Sequence, residues 1–332
     1  MKHRRRLLVA ALGVGVALTA ACTPQAEPPV RVVLITLDTL RLDSFLGSAD
    51  RPGQMPRLRK WAERGRVFEL YYSSTSTTQP THATLLTGLH PWEHGVPRNG
   101  KVKARIAEGS DPARILAKAR GLYDGDVSYL DGALDRVLVQ LDEDREEIET
   151  HVLVVSDHGE SFGEGGSVGH GRRLTTEQIR VPCFGLSPRV APGVSVRPIG
   201  TTDLTTTILS LAGVAGEAPG GRDLVDRETE PARVVGMRRA FDRITHERRI
   251  DGSVHVLEGL RFYVLDGQDL VTGNGQGAVT LNDSSEELAD PERAASARQL
   301  FAEFEEQFMA VTLRSRDDEE TLKKLEALGY VR

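Results

Sequence analysis

The chain has 332 residues, more than one compact core usually holds, so a large domain with a smaller appendage is expected. Charged residues make up 27 % and the formal net charge is -6. That balance offers no basic surface for neutralising phosphates, and no nucleic-acid partner is expected. The two cysteines, Cys22 and Cys183, could pair only with each other, so stability must come from a packed core.

Lys2, His3, Arg4, Arg5 and Arg6 precede an apolar run from Leu7 to Leu18, which is too short to span a bilayer comfortably. Thr19-Ala20-Ala21-Cys22 follows. This is the layout of a secretory signal with small residues before its cleavage point. A cysteine directly after those residues resembles a bacterial lipobox, in which Cys22 would be lipidated and become the mature N-terminus, although Thr19 is a less usual residue at its start. A plain signal peptide cut nearby is the alternative. Residues 1–22 are thus expected to be a lipoprotein-type signal, residues 23–30, with three prolines, a tether, and the protein an exported one, anchored by lipid to the membrane of a bacterial cell envelope.

Val32 to Leu37 is a continuous apolar, β-branched run, as in a strand covered on both faces of a parallel sheet. His151 to Ser156 repeats it. Val67 to Tyr72 and Val181 to Leu186 read as further strands, which makes Cys183 a buried small hydrophobe. Pro80 to Thr87 reads as a short helix whose proline suits a first turn. From Val127, apolar residues at Leu130, Leu134, Val137, Leu138 and Leu141 give a long amphipathic helix. Asp124, Asp126, Asp131 and Asp135 mostly lie off its stripe and are expected to face solvent. Thr202 to Leu211 is a further helix, and the glycines that follow place a domain boundary near Val225, giving domains 31–225 and 226–332. In the second, Val254 to Leu257 and Leu260 to Leu265 read as strands and Pro291 to Val311 as a helix. These predict a small α+β subdomain without evident chemistry.

Open α/β sheets place their sites beyond the carboxyl ends of strands. Asp38 follows the first strand and Asp157-His158 the second, so they are expected to converge, and the Thr78-Gln79-Pro80-Thr81-His82 turn could join them. Each piece alone is ordinary: an Asp-His pair after a strand is commonly a capped turn, and a threonine before Gln-Pro is commonly a helix N-cap. Together, two carboxylates, a hydroxyl and an imidazole suit one divalent cation, such as Mn²⁺ or Zn²⁺, better than an oxygen-only Ca²⁺ cage. Coordination would lower the pKa of the Thr78 hydroxyl and hold it in line with a phosphorus centre.

The segments Leu34 to Asp43, Thr78 to Val96 and Ser156 to Glu160 match, in order, motifs of sulfatase-like hydrolases. Thr202-Asp203-Leu204 with Leu211 to Val214, Gly221 to Leu224 and the closing Leu325 to Val331 continue the series. The chain therefore resembles the sulfatase and alkaline-phosphatase superfamily over residues 31–331. The resemblance implies an alkaline-phosphatase-like α/β fold, a mostly parallel sheet flanked by helices, with a smaller C-terminal α+β subdomain. It places Asp38, Asp157 and His158 on metal ligands, of Mn²⁺, Zn²⁺ or Ca²⁺, and Thr78 on both a ligand and the catalytic nucleophile. His170 falls where the family has a group near the substrate or leaving group; a plain loop histidine is the other reading. His82 and His94 read as capping or packing residues, and Arg41 as a partner of Asp43 or a brace for the loop after Asp38.

Two departures shape the functional expectation. Sulfatases carry a cysteine or serine at the Thr78 position, matured to formylglycine, and an arginine at the His82 position. Threonine cannot be converted in that way, which tilts the expected anionic substrate from sulfate esters towards phosphate mono- or diesters, by hydrolysis or transfer. The interval 97–122 is much shorter than in relatives and lacks a spaced Asp and His for a second cation. A single-metal enzyme with a reduced pocket is expected; a sulfuric ester hydrolase, or a lipid-anchored relative that binds metal or ligand without turnover, are the alternatives.

Overall fold

The computed structural model describes residues 28–94, 96, 112–214, 221–225, 233–238, 245–248, 254–257, 261–267, 269–274, 279–281 and 291–312. The expected signal segment with Cys22, most of the interval 97–122 and the closing motif 325–331 lie outside them.

The chain enters through β1 (Val30–Leu37) and turns into α1 (Leu42–Leu46), the small hairpin β2 (Gly47–Ser48) and β3 (Arg51–Pro52), and α2 (Pro56–Glu63). It continues through β4 (Arg66–Phe68), β5 (Tyr71–Tyr72), α3 (Thr78–Thr87), α4 (Pro91–His94) and α5 (Pro112–Glu143) to β6 (Glu149–Ser156). Beyond β6 come the hairpin β7 (Ser161–Phe162) and β8 (Val168–Gly169), α6 (Thr176–Ile179), β9 (Cys183–Leu186), β10 (Gly193–Ser195), β11 (Ile199–Gly200) and α7 (Thr201–Leu211). The C-terminal part has β12 (Val234–Arg238), β13 (Thr245–Arg248), β14 (Val254–Leu257), β15 (Arg261–Asp266), β16 (Asp269–Asn274), β17 (Val279–Leu281) and α8 (Pro291–Thr312).

The main sheet has the order β1-β6-β9-β4-β10. β1 and β6 are parallel, as are β4 and β10, while β9 runs against both of its neighbours. The sheet is thus mostly parallel, as expected, with one reversed strand. The reversal has a local cause. The chain leaves β6 at the carboxyl edge, stays there through residues 157–182, and re-enters from the same edge; a parallel return would need a long crossover.

Successive residues of β6 face opposite layers. Val152 and Val154 pack with Leu40, Phe45, Leu58, Trp61 and Leu138 of α1, α2 and α5 and their loops, whereas Leu153 and Val155 pack with Leu85, Leu204 and Leu211 of α3 and α7. That explains the unbroken apolar run. Cys183 is buried in the second cluster, and burial pushes its thiol pKa far up, so it is inert packing. The C-terminal sheet, β12-β15-β16-β17, is antiparallel and is covered by α8 through Ala297 and Phe301. Among the described residues no helix is long and apolar enough to cross a membrane.

Three expectations need correction. The run Val67 to Tyr72 is split at Glu69–Leu70 into β4 and β5, which belong to different sheets. The helix expected from Val127 begins at Pro112 and passes through Gly121 and Gly125, so the later part of the interval 97–122 is helical. Of the aspartates of that helix, Asp126 is exposed as expected, but Asp124, Asp131 and Asp135 are not simply solvated. Asp131 is 3 % exposed and accepts the Arg57 and Leu58 backbone N–H groups at 3.2 and 2.8 Å, capping α2, which has no side-chain cap of its own. Asp135 accepts the Trp61 indole N–H at 2.9 Å, and Asp124 pairs with Arg51 and Arg120.

Candidate active site

The parallel register pairs Leu37 with Ser156, so Asp38 and Asp157 leave the sheet side by side at one edge. Thr39 then takes a left-handed conformation, φ 58°, uncommon for a β-branched residue and found where surroundings over-determine it. Its backbone N–H donates to Asp157 Oδ1 at 3.1 Å and that of His158 donates to the same oxygen at 2.8 Å. The other oxygen, Oδ2, is buried and has no hydrogen-bond partner among the described residues. Thr78 opens α3, after Thr77 in an extended conformation, and its Oγ1 lies 3.1 Å from His158 Nε2.

His158 and Asp157 are fully buried, whereas the Asp38 side chain is 64 % exposed. His158 Nδ1 lies 2.9 Å from the Gly159 carbonyl; a carbonyl can only accept, so Nδ1 carries the proton and Nε2 presents a lone pair. Nε2 is 3.7 Å from Asp38 Oδ1 and 3.5 Å from Asp157 Oδ2. One ligand atom from each of Asp38, Asp157 and His158 lies within 4.8 Å of the others. Burial, then the Asp38 charge, pushes the Asp157 carboxyl up to about 6, and burial lowers His158. A buried carboxylate oxygen without a donor, an imidazole lone pair facing it and an open carboxylate fit a divalent cation in mixed O and N coordination.

His170 is brought to the same point by the β7–β8 hairpin. Its ring lies 4.2 Å from that of His158 at 28°, its Nδ1 donates to the Ser76 carbonyl at 3.2 Å, and burial followed by the His158 interaction lowers its pKa. All the sequence candidates of the metal and nucleophile set therefore meet at one edge; the lipidation candidate Cys22 lies outside the described residues. His82, read as a capping residue, does donate from Nδ1 to the Thr78 carbonyl at 2.9 Å, but that nitrogen is also 3.8 Å from Asp157 Oδ2. Glu160 went unnoticed as well. Burial raises its carboxyl to about 7, with Arg41 opposing and Asp38 and Glu164 adding to the rise.

The Ser73–Thr77 loop before Thr78 is held by its own hydroxyls. Ser73 Oγ donates to the Asp157 carbonyl and lies 3.1 Å from Thr81 Oγ1, and Thr75 Oγ1 accepts the Thr77 N–H at 3.1 Å. The motifs around Asp203 and Gly221–Leu224 are structural. Asp203 accepts the Gly200 N–H at 2.9 Å at the head of α7 and pairs with Arg222 at 2.7 Å, which fastens residues 221–225 to that helix.

A sulfatase family model matches residues 98–214, and a type I phosphodiesterase / nucleotide pyrophosphatase model matches residues 32–113. The choline-sulfatase of Rhizobium meliloti (strain 1021) is 32 % identical over 102 residues, 31 % of this chain and 20 % of that protein, so the chain aligns with only a fifth of the length of this curated relative. A 2-O GAG sulfatase structure superposes with a TM-score of 0.64 at 14 % identity, covering 88 % of this chain and 93 % of that one. The phosphonate monoester hydrolase of Silicibacter pomeroyi gives 0.62 at 14 % identity, with 88 % and 96 % covered. At such identity these two superpositions speak for the fold, which is the α/β sandwich described above. The two family models between them span β1, α3 and β6, which carry Asp38, Thr78 and Asp157-His158 at one edge, so over residues 32–214 the chain is similar to sulfatases and to type I phosphodiesterases.

Proposed function

We propose that the protein is a metal-dependent hydrolase or transferase of phosphate mono- or diesters that works through Thr78. The observation that carries this reading is the placement of the Thr78 hydroxyl 3.1 Å from His158 Nε2, within the cluster formed with Asp38 and Asp157. Asp38, Asp157, His158 and Thr78 would hold one divalent cation, which would supply a lowered hydroxyl pKa and screening of the transferring group's charge. Thr78 Oγ1 attacks the phosphorus, one P–O bond forms as the bond to the leaving alcohol breaks, and the phosphothreonine is then released to water or a second alcohol. α3 presents its N-terminus to the incoming anion. His170, neutral and with its Nδ1 proton on the Ser76 carbonyl, offers Nε2 as a proton acceptor beside His158. Threonine at position 78 favours phosphoesters over sulfate esters, because formylglycine cannot form there.

The test is a panel of nitrophenyl phosphate, bis-nitrophenyl phosphate and nitrophenyl sulfate, with added Mn²⁺ or Zn²⁺. Thr78→Ala should lower metal-dependent turnover by about 1,000-fold or more while still binding the cation, more weakly. Asp157→Ala should lose both. A wild-type protein that binds cation but turns over no ester would leave the binding-only reading; preference for the sulfate ester would favour a sulfuric ester hydrolase.

The same reading places the protein at the cell envelope, exported and held by lipid on Cys22. It is supported by the basic, apolar and small-residue order of residues 2–22. Cys22→Ala should move the protein from the membrane to the soluble fraction; continued tight membrane association would count against the anchor.

A further inference from the structure

Three of the four donors of the metal site, Asp38, Asp157 and His158, lie on two loops that run on beyond the paired residues of the sheet. Leu37 and Ser156 are the last paired residues of β1 and β6. Beyond them Asp38 is 64 % exposed, so packing does not fix it, and its charge repels that of Asp157. Three residues later Arg41 turns inward and is 6 % exposed. Its Nε and Nη2 donate to the two Asp43 oxygens at 2.8 and 2.9 Å. Its Nη1 crosses to the other loop and donates to the Glu160 carbonyl at 2.6 Å and to Glu164 Oε1 at 2.7 Å. Glu164 is fixed in turn, because its second oxygen accepts the Phe162 N–H at 2.5 Å. From α5, the Tyr123 hydroxyl accepts the Arg41 N–H at 2.8 Å and donates to the Thr39 carbonyl at 3.0 Å, strapping the left-handed turn. Phe162 lies against both, 5.8 Å from the Arg41 guanidinium and 5.1 Å from the Tyr123 ring.

We propose that Arg41 is a positioning residue for the cation site: it fastens the loop carrying Asp38 to the loop following Asp157 and His158, and so sets the spacing of the donors before an ion arrives. The inference rests on the metal-site reading above. Every hydrogen bond of its side chain among the described residues ends on one of those two segments. A lysine could not reproduce it, since one ammonium cannot hold a planar fork on Asp43 while reaching both Glu160 and Glu164.

The experiment is titration of Mn²⁺ alone into the full-length chain in detergent, followed by calorimetry and by loss of the free-ion EPR signal, with melting recorded for each variant. Arg41→Met should weaken Mn²⁺ binding about 10- to 100-fold, the range typical for groups that orient metal ligands, and Arg41→Lys should recover part of that loss. Glu164→Gln leaves the Asp43 fork in place and should weaken binding by roughly threefold; it decides the matter if Arg41→Met does not fold. Asp131→Ala uncaps α2 and destabilises the same domain without touching either loop, so its Mn²⁺ affinity should stay within about twofold of wild type. Folded Arg41→Met with wild-type affinity would overturn the proposal, as would an Asp131→Ala loss equal to that of Arg41→Met, which would mean general destabilisation. Failure of the wild type to bind Mn²⁺ would overturn the metal reading itself, and is distinct from variants matching a wild type that binds.

Discussion

Asp157 and the buried histidines respond to pH in opposite directions. Burial and the Asp38 charge raise the Asp157 carboxyl to about 6 from 3.8. The folded, metal-free chain therefore holds a proton there that the unfolded chain releases between those values; this stabilises the fold at low pH and is lost as pH rises through about 6. His90 and His94 lie the other way. Burial lowers each to about 4 from 6.5, so their contribution is present above 6.5 and is lost as pH falls through that window. His94 is neutral for a reason visible in its bonds: Nδ1 accepts the Val96 N–H at 3.1 Å, so Nε2 carries the proton towards Thr84 Oγ1, also at 3.1 Å. A cation at the Asp38, Asp157 and His158 cluster would replace the Asp157 proton. Melting with and without Mn²⁺, compared at each pH so that the histidine effect cancels, should show a larger upward shift at about pH 7.5 than at about pH 5. A shift as large at the lower pH would mean that the ion binds elsewhere.

Elements were legible where one periodicity dominated. β1 and β6 read as strands because both faces are covered, and their common carboxyl edge was enough to bring Asp38 and Asp157 together. α3 was found from Pro80, although it starts at Thr78, which sets that hydroxyl in the first turn rather than ahead of it. The losses have physical causes. The stretch of α5 before Val127 carries Gly121 and Gly125 and no regular apolar stripe to announce it, yet Tyr123 from that stretch straps the Asp38 turn. Asp131 lies off the apolar stripe and looked solvated; a helical wheel does not know that a second helix, α2, ends against that face and needs its N–H groups accepted. Glu160 was missed because its character comes from burial beside Arg41 and Asp38, which no local pattern encodes.

At the scale of the molecule, the C-terminal part looked free of chemistry, and β14 and β15, which belong to two different sheets, were readable as strands, but the contact of the β12–β17 sheet with the loop before Thr78 was not. The Tyr263 hydroxyl in β15 donates to the Ser73 carbonyl at 2.7 Å, and the Met237 N–H in β12 donates to the Ser74 carbonyl at 2.9 Å. Tyr263 is fully buried, so its hydroxyl has no water to fall back on. At Gly236, a Cβ would stand 2.4 Å from the Ser74 carbonyl and 2.2 Å from the Tyr263 ring, so only glycine allows β12 to lie this close. The sheet thus backs the loop that leads into Thr78, four residues beyond Ser74. Tyr263→Phe keeps the ring and removes the bond, leaving a buried carbonyl unsatisfied; it should cost ~1–3 kcal/mol in denaturant unfolding. Because that carbonyl belongs to the loop before Thr78, ester turnover should fall through kcat more than through KM, with Mn²⁺ affinity falling less than in Thr78→Ala, since the Thr78 hydroxyl is retained and Asp38, Asp157 and His158 follow other strands. Gly236→Ala should be worse on both counts, because it pushes β12 off the loop. A Tyr263→Phe protein with lowered stability but unaltered kcat would show that the sheet only completes the fold and does not position the nucleophile.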